Sequence, residues 1–343
     1  MKRAADRAYL RTRLAILDSR RRRPGQLRDL LALPVDELLQ VFGLEMADAR
    51  NGGLRLFEQS LLQRWLDELV ALLRPIEGAA QRDLLMQWAR RYEVLNLKAL
   101  IRGKISGLSR SQIEQSLFDL PGFLRLNHEV LLNTDDVMEL LRRLEGTPYA
   151  SLARLAMRRF ETAQDPFLLD ATLDQQFYTT LGERVNRLEE PDRSALRELV
   201  GRVIDRHNLI WMLRYRHNYG LQAAEAMYLS IGGGFSISRE RLRRIADAAS
   251  LQDSLQELPE TLRDKMAAAT SIVQVEDQML ADLARRAEHA LRQSPSVLGS
   301  VFGYLMLRYY EIKTTHAIVL ARVRGLPDEL VREALFPFEQ EAA

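Results

Sequence analysis

Apolar residues recur along this chain at spacings of three and four almost from end to end, the repeat of an amphipathic helix. The pattern predicts helices over 8–17, 35–42, 54–73, 83–105, 134–144, 149–162, 173–187, 192–215, 239–249, 260–293 and 297–324. Alternating apolar and polar positions, the mark of a half-buried strand, are nearly absent. Turn residues punctuate the loops at Pro24 and Gly25, Gly52 and Gly53, Pro121 and Gly122, Pro191, and Gly232 to Gly234. Cap residues support several boundaries, with Asn133, Thr134, Asp135 and Asp136 ahead of Val137 and Ser238 opening the next helix. The fold class is all-α.

Within these helices one signature occurs three times, about a third of the chain apart. It reads Arg, an acid three residues on, Asn or Thr three further, and a base eight beyond that. The copies are Arg90, Glu93, Asn96 and Lys104; Arg202, Asp205, Asn208 and Arg216; and Arg308, Glu311, Thr314 and Arg322. Each runs into a glycine stop, at Gly107, Gly220 and Gly325. Taken as the closing helix of its unit, each copy divides the chain into 1–109, 110–222 and 223–343. Three such units predict a funnel or ring with pseudo-threefold symmetry.

At about 100° per residue, Glu93, Asn96, Leu97, Leu100, Ile101 and Lys104 share one stripe, so the polar members lie within the apolar face. A carboxylate there requires a partner, and the arginine three residues earlier is within reach. The sets read as a buried polar network fixing helix register, in preference to a catalytic or ligand-binding site. Lys104, Arg216 and Arg322, some three turns further on, need partners on other helices or on another protein.

Composition narrows the function classes. The 343 residues are 47% hydrophobic and 28% charged, enough to bury a large core. Net charge is only +2, so bulk electrostatics do not point to nucleic acid. The absence of cysteine excludes disulfides, thiolate metal sites and cysteine nucleophiles. The charged start of the chain reads as neither signal peptide nor anchor, and the apolar stretch 294–307 is too short and interrupted to span a bilayer.

Familiar chemistry is missing. His128, His207, His217, His289 and His316 show no metal-pair spacing and read as satisfied core or surface residues, so no metal and no cofactor is expected. Gly232 to Gly234 lack the Lys-Ser/Thr of a phosphate loop and read as a flexible turn. The acids Asp135, Asp136, Glu189 and Glu190 fall at helix ends or in loops and supply no acid–base pair. Arg20 to Arg23 read as a solvated turn, or else a patch for an acidic partner or anionic lipid. Tyr215 and Tyr219, beside Arg214 and Arg216, read as core packing rather than nucleic-acid stacking.

The signature helices resemble the C subunit of bacterial and archaeal V/A-type ATP synthases, the counterpart of the d subunit of eukaryotic V-type ATPases. The stretch from Tyr92 through Asn96 to Gly103 is similar to that family's first repeat helix. Asp205, Asn208, Arg214 and Arg216 match the second, and Tyr310, Glu311, Thr314, Ile318, Arg322 and Pro327 the third. Tyr9 to Arg13 fit the opening helix, so the likeness covers essentially the whole chain. Two departures lie in the third copy: Thr314 where Asn is usual, and Leu320 where the earlier copies have Arg102 and Arg214.

The resemblance implies a non-catalytic rotor component, a socket on the cytoplasmic face of the membrane. Such a socket receives the shaft formed by the D and F subunits and passes torque to the proteolipid ring. Membrane contact would be indirect, and neither nucleic acid nor a small-molecule substrate is expected. On that view Arg90/Glu93, Arg202/Asp205 and Arg308/Glu311 are stiffening struts, and Lys104, Arg216 and Arg322 face the cavity or its rim. The rival reading is a cytosolic helical-repeat scaffold binding proteins or nucleic acid through arginine-rich faces. A catalytic site among Asp205, His207 and Asn208 is a third.

Overall fold

A computed structural model describes residues 2–163, 166–327 and 331, so the end of the predicted third unit lies outside the described residues. Helices and turns make up the structure, and no strand occurs among the described residues. Three long helical hairpins carry the architecture. Leu54–Leu73 turns into Ala79–Ala89 and Arg91–Ile105, Pro166–Asn186 into Asp192–Leu213, and Ile272–Gln293 into Val297–Val323. Shorter helices fill the intervals, including Lys2–Ser19, Pro24–Ala32 and Val35–Val41 before the first hairpin.

The second arm of each hairpin carries a signature, and it packs in two directions. Besides its own partner, Arg91–Ile105 lies on Pro166–Asn186, Asp192–Leu213 lies on Ile272–Gln293, and Val297–Val323 lies back on Leu54–Leu73 and on Lys2–Ser19. Gly303 permits the closest of these approaches, because a Cβ there would sit 2.6 Å from the carbonyl oxygen of Ala287 on the opposing arm. Ser296 caps this last helix by accepting the N–H of Gly299 at 2.9 Å.

Burial divides the signature helices lengthwise. Tyr92, the second arm up to Ile204 and the third arm up to Ile312 share one core with Trp65, Trp88 and Phe302. Further along, Val94, Leu97, Leu100 and Ile101 enter a separate core with Ile113, Leu140 and Leu152. Leu209 to Tyr215 enter another with Ala226, Ile245 and Val275. Ile318 and Val319 stay in the first core, which also holds Leu14 and Leu38 of the N-terminal helices. The first two helices therefore leave the common core for separate ones, and the third remains in it.

Two predicted helices prove to be pairs. The segment 83–105 breaks at Arg90, and 260–293 breaks between Glu260–Met266 and Ile272–Gln293, where Ser271 caps the second part by accepting the N–H of Gln274. The glycine stops adopt the left-handed conformation expected of them, with φ +65° at Gly107, +68° at Gly220 and +64° at Gly325.

Candidate functional site

In the first two copies the signature side chains reach forward along the chain, into the segment that follows the helix, and in the third they reach back to the N-terminal segments. Asn96 clasps one peptide group edge-on, donating to the Phe118 carbonyl at 2.8 Å and accepting the Phe118 N–H at 2.7 Å. Asn208 does the same to Ile231, at 2.8 Å in both directions. An amide side chain carries one donor and one acceptor in the geometry of the peptide it meets, so it can satisfy both buried backbone groups at once. Thr314 is buried at the matching position but has a single hydroxyl. Replacing Asn208 with alanine is expected to cost about 2–4 kcal/mol, since it orphans a buried N–H and C=O together; urea unfolding measures it.

The acids follow the same logic with different partners. Glu93 accepts the hydroxyl of Tyr149 and a backbone N–H from Leu126, and burial pushes its carboxyl above the usual carboxylate range. Asp205 accepts three consecutive backbone N–H groups, from Phe235 at 3.2 Å, Ser236 at 2.6 Å and Ile237 at 3.2 Å. Glu311 accepts the N–H of Arg22 at 3.0 Å and pairs with Arg308 at 2.6 Å. Only this third Arg–acid pair forms as a direct contact among the described residues. Arg202 instead pairs with Glu198 at 3.0 Å and Asp282 at 3.4 Å, and Arg90 acts on Glu93 through its charge without touching it.

The expected outward-facing bases are likewise engaged within the chain. Lys104 donates to the carbonyls of Leu132, at 2.8 Å, and Thr134; Arg216 to those of Ala246 and Leu221; and Arg322 to that of Leu33, at 2.8 Å. Cations at carbonyls left open by helix ends are a favourable use of charge. Partners on other segments of the chain are one of the two outcomes that their place on the helices called for.

Two further expectations need correction. Arg20 to Arg23 are not wholly a solvated turn: Arg20 is exposed, but Arg21 has a side chain only 5% exposed and pairs with Asp18 at 3.1 Å and Glu288 at 2.6 Å, while Arg23 joins the same two acids. The glycine loop is no idle turn either. A side chain at Gly234 would collide with the Asp205 carboxylate, and Gly233 takes a left-handed φ of +89°, so each of these two positions calls for glycine for its own reason.

Sequence reasoning missed a second recurrent acid. Glu58, Asp170 and Glu276 are each the fifth residue of the first hairpin arms Leu54–Leu73, Pro166–Asn186 and Ile272–Gln293. Arg102 pairs with Asp170, and Arg214 with Glu276 at 2.6 Å. With Leu320 in the third copy, Glu58 is left to Arg55 at 3.0 Å and to His316, whose Nδ1 lies 3.8 Å away. The shared position was available as a signal once the hairpins were aligned.

Where the signature helices meet, Arg91 lies 3.2 Å from the centre of the Trp88 ring and 4.2 Å from that of Tyr309, and Tyr178 stacks against His207 at 4.5 Å. Beyond this floor the half-exposed stripes of the three helices carry Leu95, Lys98 and Arg102; Trp211 and Arg214; and Lys313, His316 and Ala317. Burial alone would raise the Tyr309 hydroxyl, but Arg91, Lys313 and Arg206 outweigh it and hold the group below its ordinary value. Burial lowers His207 well below the usual histidine range, and Arg206, Lys98 and Arg214 lower it further. The region is thus electropositive. At the other end of the hairpins a cavity of about 610 Å³ lies between the turns at 75–81, 187–192 and 295–298; its Asp192 is engaged with Ser296. No cluster of metal-ligating side chains occurs among the described residues.

The site is therefore a set of buried polar contacts that join each signature helix to another part of the chain, with a full peptide clasp on two of the three helices. A family model described as ATP synthase (C/AC39) subunit matches residues 10–334, and the chain belongs to that family. Its relatives include the A-type ATP synthase C subunit of Methanocaldococcus jannaschii, 22% identical over 91% of this chain and 79% of the relative. That of Haloferax volcanii is 27% identical over 83% of this chain and 82% of the relative, and that of Methanothermobacter thermautotrophicus 25% over 81% and 74%. The chain is therefore part of a rotary ATP synthase, and no described helix is long and apolar enough to cross a membrane.

Proposed function

We propose that this chain is the non-catalytic socket of the rotor, seated on the cytoplasmic face of the membrane between the shaft of the D and F subunits and the proteolipid ring. The carrying observation is the cyclic packing. Each signature helix grips the hairpin that follows it, and the third returns to the first, so the chain supports a body closed on itself. Between the half-exposed stripes of the three helices, where the first two leave the common core for separate ones, we place the recess in which a shaft would seat.

Torque transmission demands stiffness. Buried clasps on peptide groups, held at two points by Asn96 and Asn208, resist sliding of one unit past the next better than apolar contacts alone. The three units are 1–109, 110–222 and 223–343, with each signature helix serving as the bridge to its successor. Affinity purification of the tagged chain from native membranes in mild detergent tests the role. Head subunits, shaft subunits and a small proteolipid should be recovered; soluble partners or nucleic acid in their place would favour the scaffold reading.

A further inference from the structure

The recess between the signature helices is unevenly charged. Five cations border it, Arg91 and Lys98 from the first helix, Arg206 and Arg214 from the second and Lys313 from the third. Two carboxylates answer them: Asp174 lies 2.7 Å from Lys98, and Glu276 joins Arg206 and, at 2.6 Å, Arg214. The pairs Arg102–Asp170 and Arg55–Glu58 at the edges are each balanced and leave the surplus as it is. Arg91 is held by the rings of Trp88 and Tyr309, and Lys313 is exposed with no ion pair among the described residues. These cations stay in reach of solvent, the side chains of Arg206 and Arg214 keeping 22% and 31% of their exposure.

Apolar and aromatic side chains are interleaved with the charges. Leu95 is 37% exposed on the first helix, Trp211 is half-buried on the second, and Ala317 is half-buried on the third. Each helix also ends beside an exposed apolar residue, Leu108, Tyr219 and Leu326. Such a mixture fits a helix that presents both apolar residues and carboxylates, and suits a polyphosphate backbone poorly, since the apolar positions would gain nothing from it.

We propose that the partner segment entering this recess is an acidic, amphipathic helix end, whose carboxylates neutralise the surplus carried by Arg91, by Lys313 and by the two arginines that share Glu276, while its apolar face covers Leu95, Trp211 and Ala317. This rests on the socket reading and specifies the chemistry of the shaft tip. Like charges brought together at an interface weaken it, and the penalty is screened by salt.

The test measures affinity of the purified full chain for the purified shaft subcomplex across a salt series, for the wild type, Lys313→Glu and Lys313→Gln. Lys313 is exposed, so both variants should fold, and matching circular dichroism and melting confirm it. The expected result is a loss of about tenfold for Lys313→Glu at low salt, a smaller loss for Lys313→Gln, and convergence of all three at about 0.5 M salt. Shaft binding by the wild type that neither variant changes overturns the acidic tip and leaves the socket reading intact. No shaft binding by the wild type overturns the socket reading itself. Tighter capture of a DNA oligonucleotide or of phosphatidylglycerol vesicles, lost in Lys313→Glu, would also overturn the proposal by assigning the cations to a phosphate ligand.

Discussion

Replacing Glu311 with alanine is expected to lower the unfolding free energy by about 3–5 kcal/mol, as is typical when one member of a buried ion pair is removed. Glu311 is 2% exposed, and its carboxylate balances Arg308, itself held by Glu68 at 3.2 Å, while Tyr304 donates to Glu68 at 2.8 Å. Without Glu311 the Arg308 guanidinium keeps a single buried counter-charge. The N–H of Arg22 loses its acceptor as well, so the N-terminal segment is released from the last long helix. Urea denaturation measures the loss, and limited proteolysis should cut near residues 20–24 in the variant first. An unchanged midpoint would show that Arg308 and Glu68 suffice alone.

A loss of about 2–4 kcal/mol is expected for Asp205→Ala, which leaves the buried N–H of Ile237 and the part-buried N–H groups of Phe235 and Ser236 without their acceptor. Gly234→Val should approach it by a different route, because the added side chain occupies the carboxylate's place. The pH dependence is separable from the loss itself. Burial pushes Asp205 up to about 6, with the three N–H bonds and Arg202 opposing, against 3.8 in an unperturbed chain. The folded state therefore binds the proton more tightly than the unfolded one. Its contribution to stability is fully present below about pH 4 and is lost as pH rises through about 6. Asp205→Asn should flatten the stability profile in that window; a slope equal to that of the wild type would show that another group titrates there.

Much of this is legible in the sequence, and the gaps have identifiable causes. Helical periodicity reveals which face of a helix is buried, so Glu93, Asp205 and Glu311 can be placed in the core stripe from spacing alone. Periodicity carries no information on what a buried side chain meets. The nearest cation in sequence is the natural guess, yet Glu93 and Asp205 are satisfied by backbone N–H groups some 30 residues onward. The Asn–peptide clasp is invisible for the same reason. Gly232 to Gly234 read as a flexible turn because a glycine needed for close approach to Asp205, as Gly234 is, has the same signature as one needed for a turn. The break at Arg90 has no glycine, proline or cap residue to mark it. Leu320 stands out in the sequence as a departure, and its consequence, Glu58 left without an arginine from that helix, becomes visible only when the hairpins are placed side by side.

The most direct test of the rotor-socket role exploits the absence of cysteine from the chain. A single cysteine introduced at Ala317, on the half-exposed stripe facing the recess, can carry a photo-crosslinker in the assembled complex. The socket reading predicts crosslinking to a shaft subunit with ATP turnover and coupled ion transport undiminished, because two parts that rotate together may be joined without hindrance. A crosslink to a stationary subunit that arrests turnover, or no crosslink within the complex at all, would contradict it.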